Sequence, residues 1–165
     1  FDLSTMQPEE LDRAAKAAHD YVEHKLSAAD LIAVVSFSTS LQVVRSGRRA
    51  AVVAVGPMLS PVLEAVADLD VTVAYATTVR PFDAAGLRAA EAGSGAVVLV
   101  EPYLAGTSAH AVASALTSRP HRLLSLGVPR TELRQYGTPA DHASAHGLDA
   151  AGIRRSVTGF LGLTS

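Results

Sequence analysis

Ala50-Ala-Val-Val-Ala-Val-Gly-Pro-Met-Leu-Ser-Pro-Val-Leu-Glu-Ala-Val-Ala-Asp-Leu-Asp-Val-Thr-Val-Ala-Tyr-Ala76 decides the fold. Its two ends, Ala50 to Val55 and Val71 to Ala76, are short apolar runs rich in β-branched residues and free of polar alternation. Such runs read as strands covered on both faces. Between them Ser60-Pro61 caps and opens a helix through Ala67. Strand, helix and strand at this spacing make a βαβ unit, and a series of such units builds a parallel sheet with helices against it.

The same alternation continues toward the C-terminus. Asp83 caps a helix through about Glu91, Ala96 to Val100 is a strand, and Thr107 caps a helix through about Leu116. Arg122 to Leu126 is the last strand, Gly127 to Gly147 reads as mostly loop, and Asp149 caps a closing helix that ends near Leu161. Toward the N-terminus, Arg45-Ser46-Gly47-Arg48-Arg49 is a turn preceded by a short strand, Leu41 to Val44. Leu31 to Phe37 is a longer apolar run, expected as a central strand. Gln7-Pro8-Glu9-Glu10 opens an amphipathic helix with Leu11, Ala14, Ala15, Ala18, Val22 and Leu26 on one face. The expectation is a single α/β domain over residues 1–165: a Rossmann-like, three-layer αβα sandwich on a mainly parallel sheet of six or seven strands.

Bulk properties narrow the function. With 165 residues, 48% of them hydrophobic, the chain has material for one core. A net charge of -2 offers no broad basic surface for a phosphate backbone, so nucleic acid is not an expected partner. The absence of cysteine excludes disulfides, thiolate metal sites and a cysteine nucleophile. The longest apolar runs are far short of a bilayer crossing and no signal peptide precedes them, so a cytoplasmic protein without a membrane partner is expected. The start at Phe1, without an initiator methionine, reads as a trimmed fragment.

Composition changes along the chain. Both lysines, Lys16 and Lys25, lie in the first quarter, and every basic residue after Val43 is arginine. Phe1-Asp-Leu-Ser-Thr-Met6 through Asp30-Leu-Ile-Ala-Val-Val-Ser-Phe-Ser-Thr-Ser40 resembles the opening of a von Willebrand factor A domain. That resemblance implies a magnesium site on a D-x-S-x-S loop, for which Asp2 and Ser4 match and Met6 does not. A thioether is a poor ligand for a hard cation, so turn-forming roles for Asp2 and Ser4 are the competing reading.

From residue 43 onward the chain resembles the C-terminal domain of the transketolase family. The resemblance rests on Ala50-Ala-Val-Val-Ala-Val-Gly56, Val71-Thr-Val-Ala-Tyr-Ala-Thr-Thr-Val-Arg-Pro-Phe-Asp83, Val97-Val-Leu-Val-Glu-Pro102, Leu126-Gly-Val-Pro129 and His146-Gly-Leu-Asp149. The family's usual glycine pair stands here as Ala105-Gly106. The resemblance implies that thiamine diphosphate and its metal belong between two other domains, so no cofactor and no catalysis are expected of this one. The division into residues 1–42 and 43–165 suggests a recombined, engineered chimera without evolved activity. The alternatives are a non-catalytic oligomerisation module, forming a homodimer through a sheet edge or a transketolase-like interface, and a metal-dependent adhesion-type module.

Other candidates carry weaker signals. His142 and His146 are four apart beside Asp141, a spacing that can serve zinc with Asp141 as third ligand, but no H-E-x-x-H glutamate accompanies them and Gly137 and Pro139 interrupt the segment, so a polar loop is the favoured reading. Glu101 ends a strand, and Gly106-Thr107-Ser108 starts a helix whose free N–H groups suit an anion; a simple Thr107 cap is the alternative. Ser36, Ser38, Ser40 and Ser125 lack a nucleophile elbow and read as local hydrogen-bonding residues. Arg45, Arg48 and Arg49 form a basic turn that could hold phosphate, or a solvated hairpin end, and Arg154 and Arg155 read as a helix's polar face.

Overall fold

Valines and leucines crowded into short runs remove the backbone from water, and pairing on both edges satisfies the N–H and C=O groups thus buried. The structure, a computed structural model, describes residues 8–25, 39–132 and 136–163. The chain divides into two compact units, Phe1–Ser38 and Thr39–Ser165. In the first, α1 spans Pro8–Lys25, with Glu9 and Glu10 in its first turn and His24 and Lys25 in its last. That charge order opposes the helix dipole favourably at both ends.

The second unit is built on five strands: β1 (Gln42–Arg45), β2 (Ala51–Val55), β3 (Thr72–Ala76), β4 (Ala96–Leu104) and β5 (Arg122–Val128). Their spatial order is β1-β3-β2-β4-β5, with β1 antiparallel to β3 and the other neighbours parallel. The sheet is therefore mixed but mainly parallel, as expected. Five strands stand among the described residues, not six or seven. The further strand expected over Leu31 to Phe37 falls outside them.

Alternation along the strands sorts the core. Val52, Ala54, Val73, Val98 and Val100 pack on one face against Val62 and Ala65 of α2 (Leu59–Ala65) and Ile153 and Val157 of α6 (Ala150–Leu161). Ala51, Val53, Ala74, Val97 and Leu99 pack on the other, against Leu87 and Ala90 of α3 (Ala84–Glu91) and Val112 and Ala115 of α4 (Ala109–Ala115). Helices on both sides of one sheet are the layering the sequence implies. Between β2 and β4 the connections diverge, β2 feeding α2 on one face and β4 feeding α4 on the other. This is the topological switch point, where open α/β sheets leave a crevice at the strands' carboxyl ends.

Several local expectations need correction. The segment from Gly127 to Gly147, read as mostly loop, contains α5 (Pro139–Ala145), opened by a capping box between Thr138 and Asp141. Helix α2 starts at Leu59 behind a single 3₁₀ turn, Gly56–Met58, so Ser60 lies inside it and is not its cap. Ser108, not Thr107, holds the N-cap position of α4. Asp83 and Asp149 cap α3 and α6 as expected, accepting from the N–H of Gly86 and of Gly152.

The basic turn is structural. Arg45 spends its guanidinium on three carbonyl oxygens at the end of α2: Ala67 at 3.1 Å, Val66 at 2.6 Å and Leu69 at 3.2 Å. Arg48 pairs with Asp70 at 3.0 Å. Gly47 lies so close to Val71 that an added Cβ would sit 2.4 Å from its backbone, which only glycine allows. Arg154 likewise leaves its helix to hold Asp68 through both guanidinium nitrogens.

That last pair gives the chain an acid-sensitive tie. The Arg154 guanidinium, by hydrogen bonding to Asp68, lowers its carboxyl from 3.8 to about 2. A carboxyl whose folded value lies below its unfolded one stabilises the fold above the unfolded value, and loses that contribution as pH falls through the folded one. Melting followed by circular dichroism should therefore find Asp68→Asn less stable than the parent at neutral pH. The gap should close between about pH 4 and about pH 2, and it should be small, since both groups face solvent.

Candidate functional site at the carboxyl rim of the sheet

β4 runs past its neighbours and carries Glu101 at the rim, with no exposed surface. A buried carboxylate needs partners, and this one finds them five and seven residues ahead. Its Oε2 accepts the N–H of Gly106 at 3.0 Å and its Oε1 accepts the N–H of Ser108 at 3.0 Å. The turn between them requires a left-handed residue, which Gly106 supplies at φ +80. The amides that the sequence offered to an external anion are thus occupied by the chain's own carboxylate. Thr107 does not cap the helix; its hydroxyl donates to the carbonyl of Leu104 at 2.6 Å.

A second internal clasp orders the turn before β4. Glu91, 3% exposed, accepts from the N–H of Gly93 and of Gly95 and from Arg119. Burial pushes this carboxyl up, but those N–H groups and the guanidinium outweigh it, and its pKa falls below the ordinary value. Both glutamates hold backbone in place, which is structural work.

At the switch point, a crevice of about 590 Å³ opens between the 3₁₀ turn after β2, Pro102 of β4, Val128 of β5 and helix α5. Met58, Pro61, Leu148 and Ala143 make most of its wall apolar, and His142 and His146 contribute the imidazoles. The two histidines do share this crevice. Asp141, the third ligand considered for zinc, turns away: its Oδ2 accepts from the N–H and hydroxyl of Thr138 at 2.9 and 2.8 Å. Those same bonds lower its pKa. Among the described residues no group of three or more His, Asp or Glu side chains is placed to hold a metal ion. His142 and His146 thus stand without a third such ligand among the described residues. What the crevice offers is a mostly apolar surface with two imidazoles in its lining.

The remaining candidates do not assemble. Asp2, Ser4, Ser36 and Ser38 lie outside the described residues, as does Asp30, the acid considered as a nucleophile's partner. Ser125 lies in β5, paired in register with Leu99 of β4. Arg155 is exposed on α6, on the polar face expected for it. Sequence reading missed the internal carboxylate clasps, for which the available signal was an acid closing a wholly apolar strand a few residues before a glycine turn. Among the described residues no helix is long and apolar enough to cross a membrane.

Comparison with known proteins supports the larger of the two resemblances. The family model for the transketolase C-terminal domain matches residues 39–153. An uncharacterized 33.6 kDa protein in the fasciation locus of Rhodococcoides fascians is 58% identical over 127 residues, covering 75% of this chain and 41% of that protein. The 1-deoxy-D-xylulose-5-phosphate synthase of Acidovorax ebreus is 40% identical over 122 residues, covering 71% of this chain and 19% of the synthase. The chain thus spans less than half the length of either relative. Among solved structures, a split gene transketolase described as an inactive beta4 tetramer superposes with a TM-score of 0.65 at 23% identity, covering 84% of this chain and 48% of the other. At that identity the likeness speaks for the fold. These matches bring no support for a von Willebrand factor A segment or for recombination, and they favour the assembly-module alternative over the chimera.

Proposed function

Because the chain belongs to the transketolase C-terminal domain family, we propose that residues 39–163 act as a non-catalytic assembly module that joins copies of the chain through the β1 edge of the sheet. The observation that carries this is the exposure of two adjacent valines on that edge, Val43 at 52% and Val44 at 46%. Val44 falls at a bulge between the Val43/Ala74 and Arg45/Val73 pairs, which breaks the alternation and leaves both valines at the surface. Among the described residues β1 pairs with β3 alone. An uncovered apolar edge strand is a template for another chain, and soluble folds ordinarily shield it with charge or a covering element.

At the opposite edge the start of β5 is tied to α6. Arg122 at the start of β5 lies over the Phe160 ring at 4.7 Å and donates to the Phe160 carbonyl at 3.1 Å. The tetrameric state named for the solved structure of like fold agrees with a module whose task is assembly. The buried rim carboxylate, Glu101, is already consumed by backbone, which agrees with a domain that leaves chemistry to other parts.

Sedimentation velocity tests the reading. The 165-residue chain is expected to shift from monomer toward dimer as concentration rises. Val43→Lys with Val44→Glu should remain monomeric at the same concentrations with an unchanged circular dichroism spectrum. A parent chain that stays monomeric up to its solubility limit would contradict the proposal.

A further inference from the structure

A second cleft, about 340 Å³, lies at the carboxyl rim between the segment after β3 and the turn that starts α4. Its composition differs from that of the apolar crevice. Arg80 and His110 stand in its walls, Ser108 lies in its lining, and Val79, Phe82 and Ala111 supply apolar surface. Among the described residues neither Arg80 nor His110 forms an ion pair.

The nearby acids are committed elsewhere. Asp83 gives one oxygen to the N–H of Gly86 at 2.8 Å and the other to the N–H of Leu41 at 2.9 Å. Glu101 is enclosed by the amides of Gly106 and Ser108. Those amides are spent, so any anion in this cleft must be held by side chains. Ser108 provides the independent sign of a ligand. It is 5% exposed and sits at the N-cap of α4, yet its hydroxyl makes no capping bond. A cap would use the oxygen's lone pair; among the described residues the Ser108 hydroxyl makes neither that bond nor another, so both its proton and its lone pairs are left for a guest in the cleft it lines.

We infer that this cleft binds a small monocarboxylate carrying a short apolar chain. The guanidinium matches a carboxylate in a two-point fork, and the Ser108 hydroxyl and His110 imidazole supply further donors. The single fixed positive charge of Arg80 suits one negative charge better than two. Val79, Phe82 and Ala111 receive the carbon chain, as small-molecule sites pair a few placed polar groups with apolar walls. The site is independent of the β1 edge and does not require association.

Titration of the ¹⁵N-labelled full chain with hexanoate, hexanol and inorganic phosphate, read by amide chemical shifts, tests the assignment. Hexanoate should produce saturable shifts at residues 79–82 and 107–111, and hexanol, which lacks the charge, should not. Arg80→Gln, at an exposed position, should fold normally and weaken hexanoate about tenfold or more, and Ser108→Ala should weaken it several-fold. Equal shifts from hexanol would reduce the cleft to apolar surface. Tighter binding of phosphate would overturn the carboxylate assignment. Absence of saturation, or shifts confined to other residues, would remove the site altogether.

Discussion

Replacing Glu101 with alanine is expected to destabilise the chain by roughly 3–5 kcal/mol, the largest effect of any single polar substitution considered for this fold. The side chain is fully buried and holds the amides of Gly106 and Ser108 at 3.0 Å each. Truncation leaves two N–H groups without acceptors, each costing about 1–3 kcal/mol, and opens a void beneath them. Thermal denaturation by circular dichroism should register a drop on the order of 10 °C. Glu101→Gln keeps one acceptor and presents an amide N–H₂ to the other donor, so its loss should be roughly half as large. A near-neutral Glu101→Ala would mean that the turn amides reach water, and the clasp would then not be what fixes the rim.

Gly152→Ala should also destabilise, by about 2 kcal/mol or more, against the direction that helix propensity alone dictates. Gly152 lies in the first turn of α6 and donates to Asp149 at 2.8 Å. A Cβ there would sit 2.5 Å from the Cα and carbonyl oxygen of Gly147. Both are backbone atoms in a turn where Gly147 has φ +65, so neither side can yield by a change of rotamer. Moving α6 to make room would disturb Ile153 and Val157, both fully buried. Propensity favours alanine over glycine by about 1 kcal/mol in a helix interior, less than the expected cost of the clash. Gly159, in the same helix, meets no atom within 4 Å of an added Cβ. Gly159→Ala should therefore stabilise by about 1 kcal/mol, and the opposite signs of the two substitutions in one set of melting curves check the account of α6 packing.

What the sequence discloses about this fold depends on how far each residue's partner lies along the chain. The apolar runs over β2, β3 and β4 read correctly because burial on both faces leaves no polar alternation. Asp83 and Asp149 read correctly because a cap's partner is three residues away. α5 escaped notice although Thr138-Pro139-Ala140-Asp141 contains its capping box, because Gly137 and Pro139 suggest a break before they suggest a beginning. Distant partners have no local trace. Arg154 reads as the polar face of a helix until Asp68, 86 residues earlier, is placed beside it. Arg45 reads as part of a basic turn until the end of α2 supplies the carbonyls.

The rim was half legible. Its location follows from the βαβ pattern, and the N–H groups of Gly106-Thr107-Ser108 were weighed as an anion site against a simple Thr107 cap. The anion itself was mistaken, because a strand-ending glutamate can be turned inward or outward with the same sequence. The two histidines were rightly placed near each other, but the metal reading counted Asp141 as free when Thr138 already holds it. Exposure of Val43 and Val44 was the least legible feature. A short valine run looks like any buried strand until its position at the sheet's edge is known.

Hydrogen exchange of the full chain at low and high protein concentration tests the central claim most directly, because it locates the association as well as detecting it. Amides of residues 42–45 should become more protected as concentration rises, while those of residues 122–128 stay unchanged. Exchange that is independent of concentration at β1, or protection gained only along β5, would contradict assembly through the β1 edge.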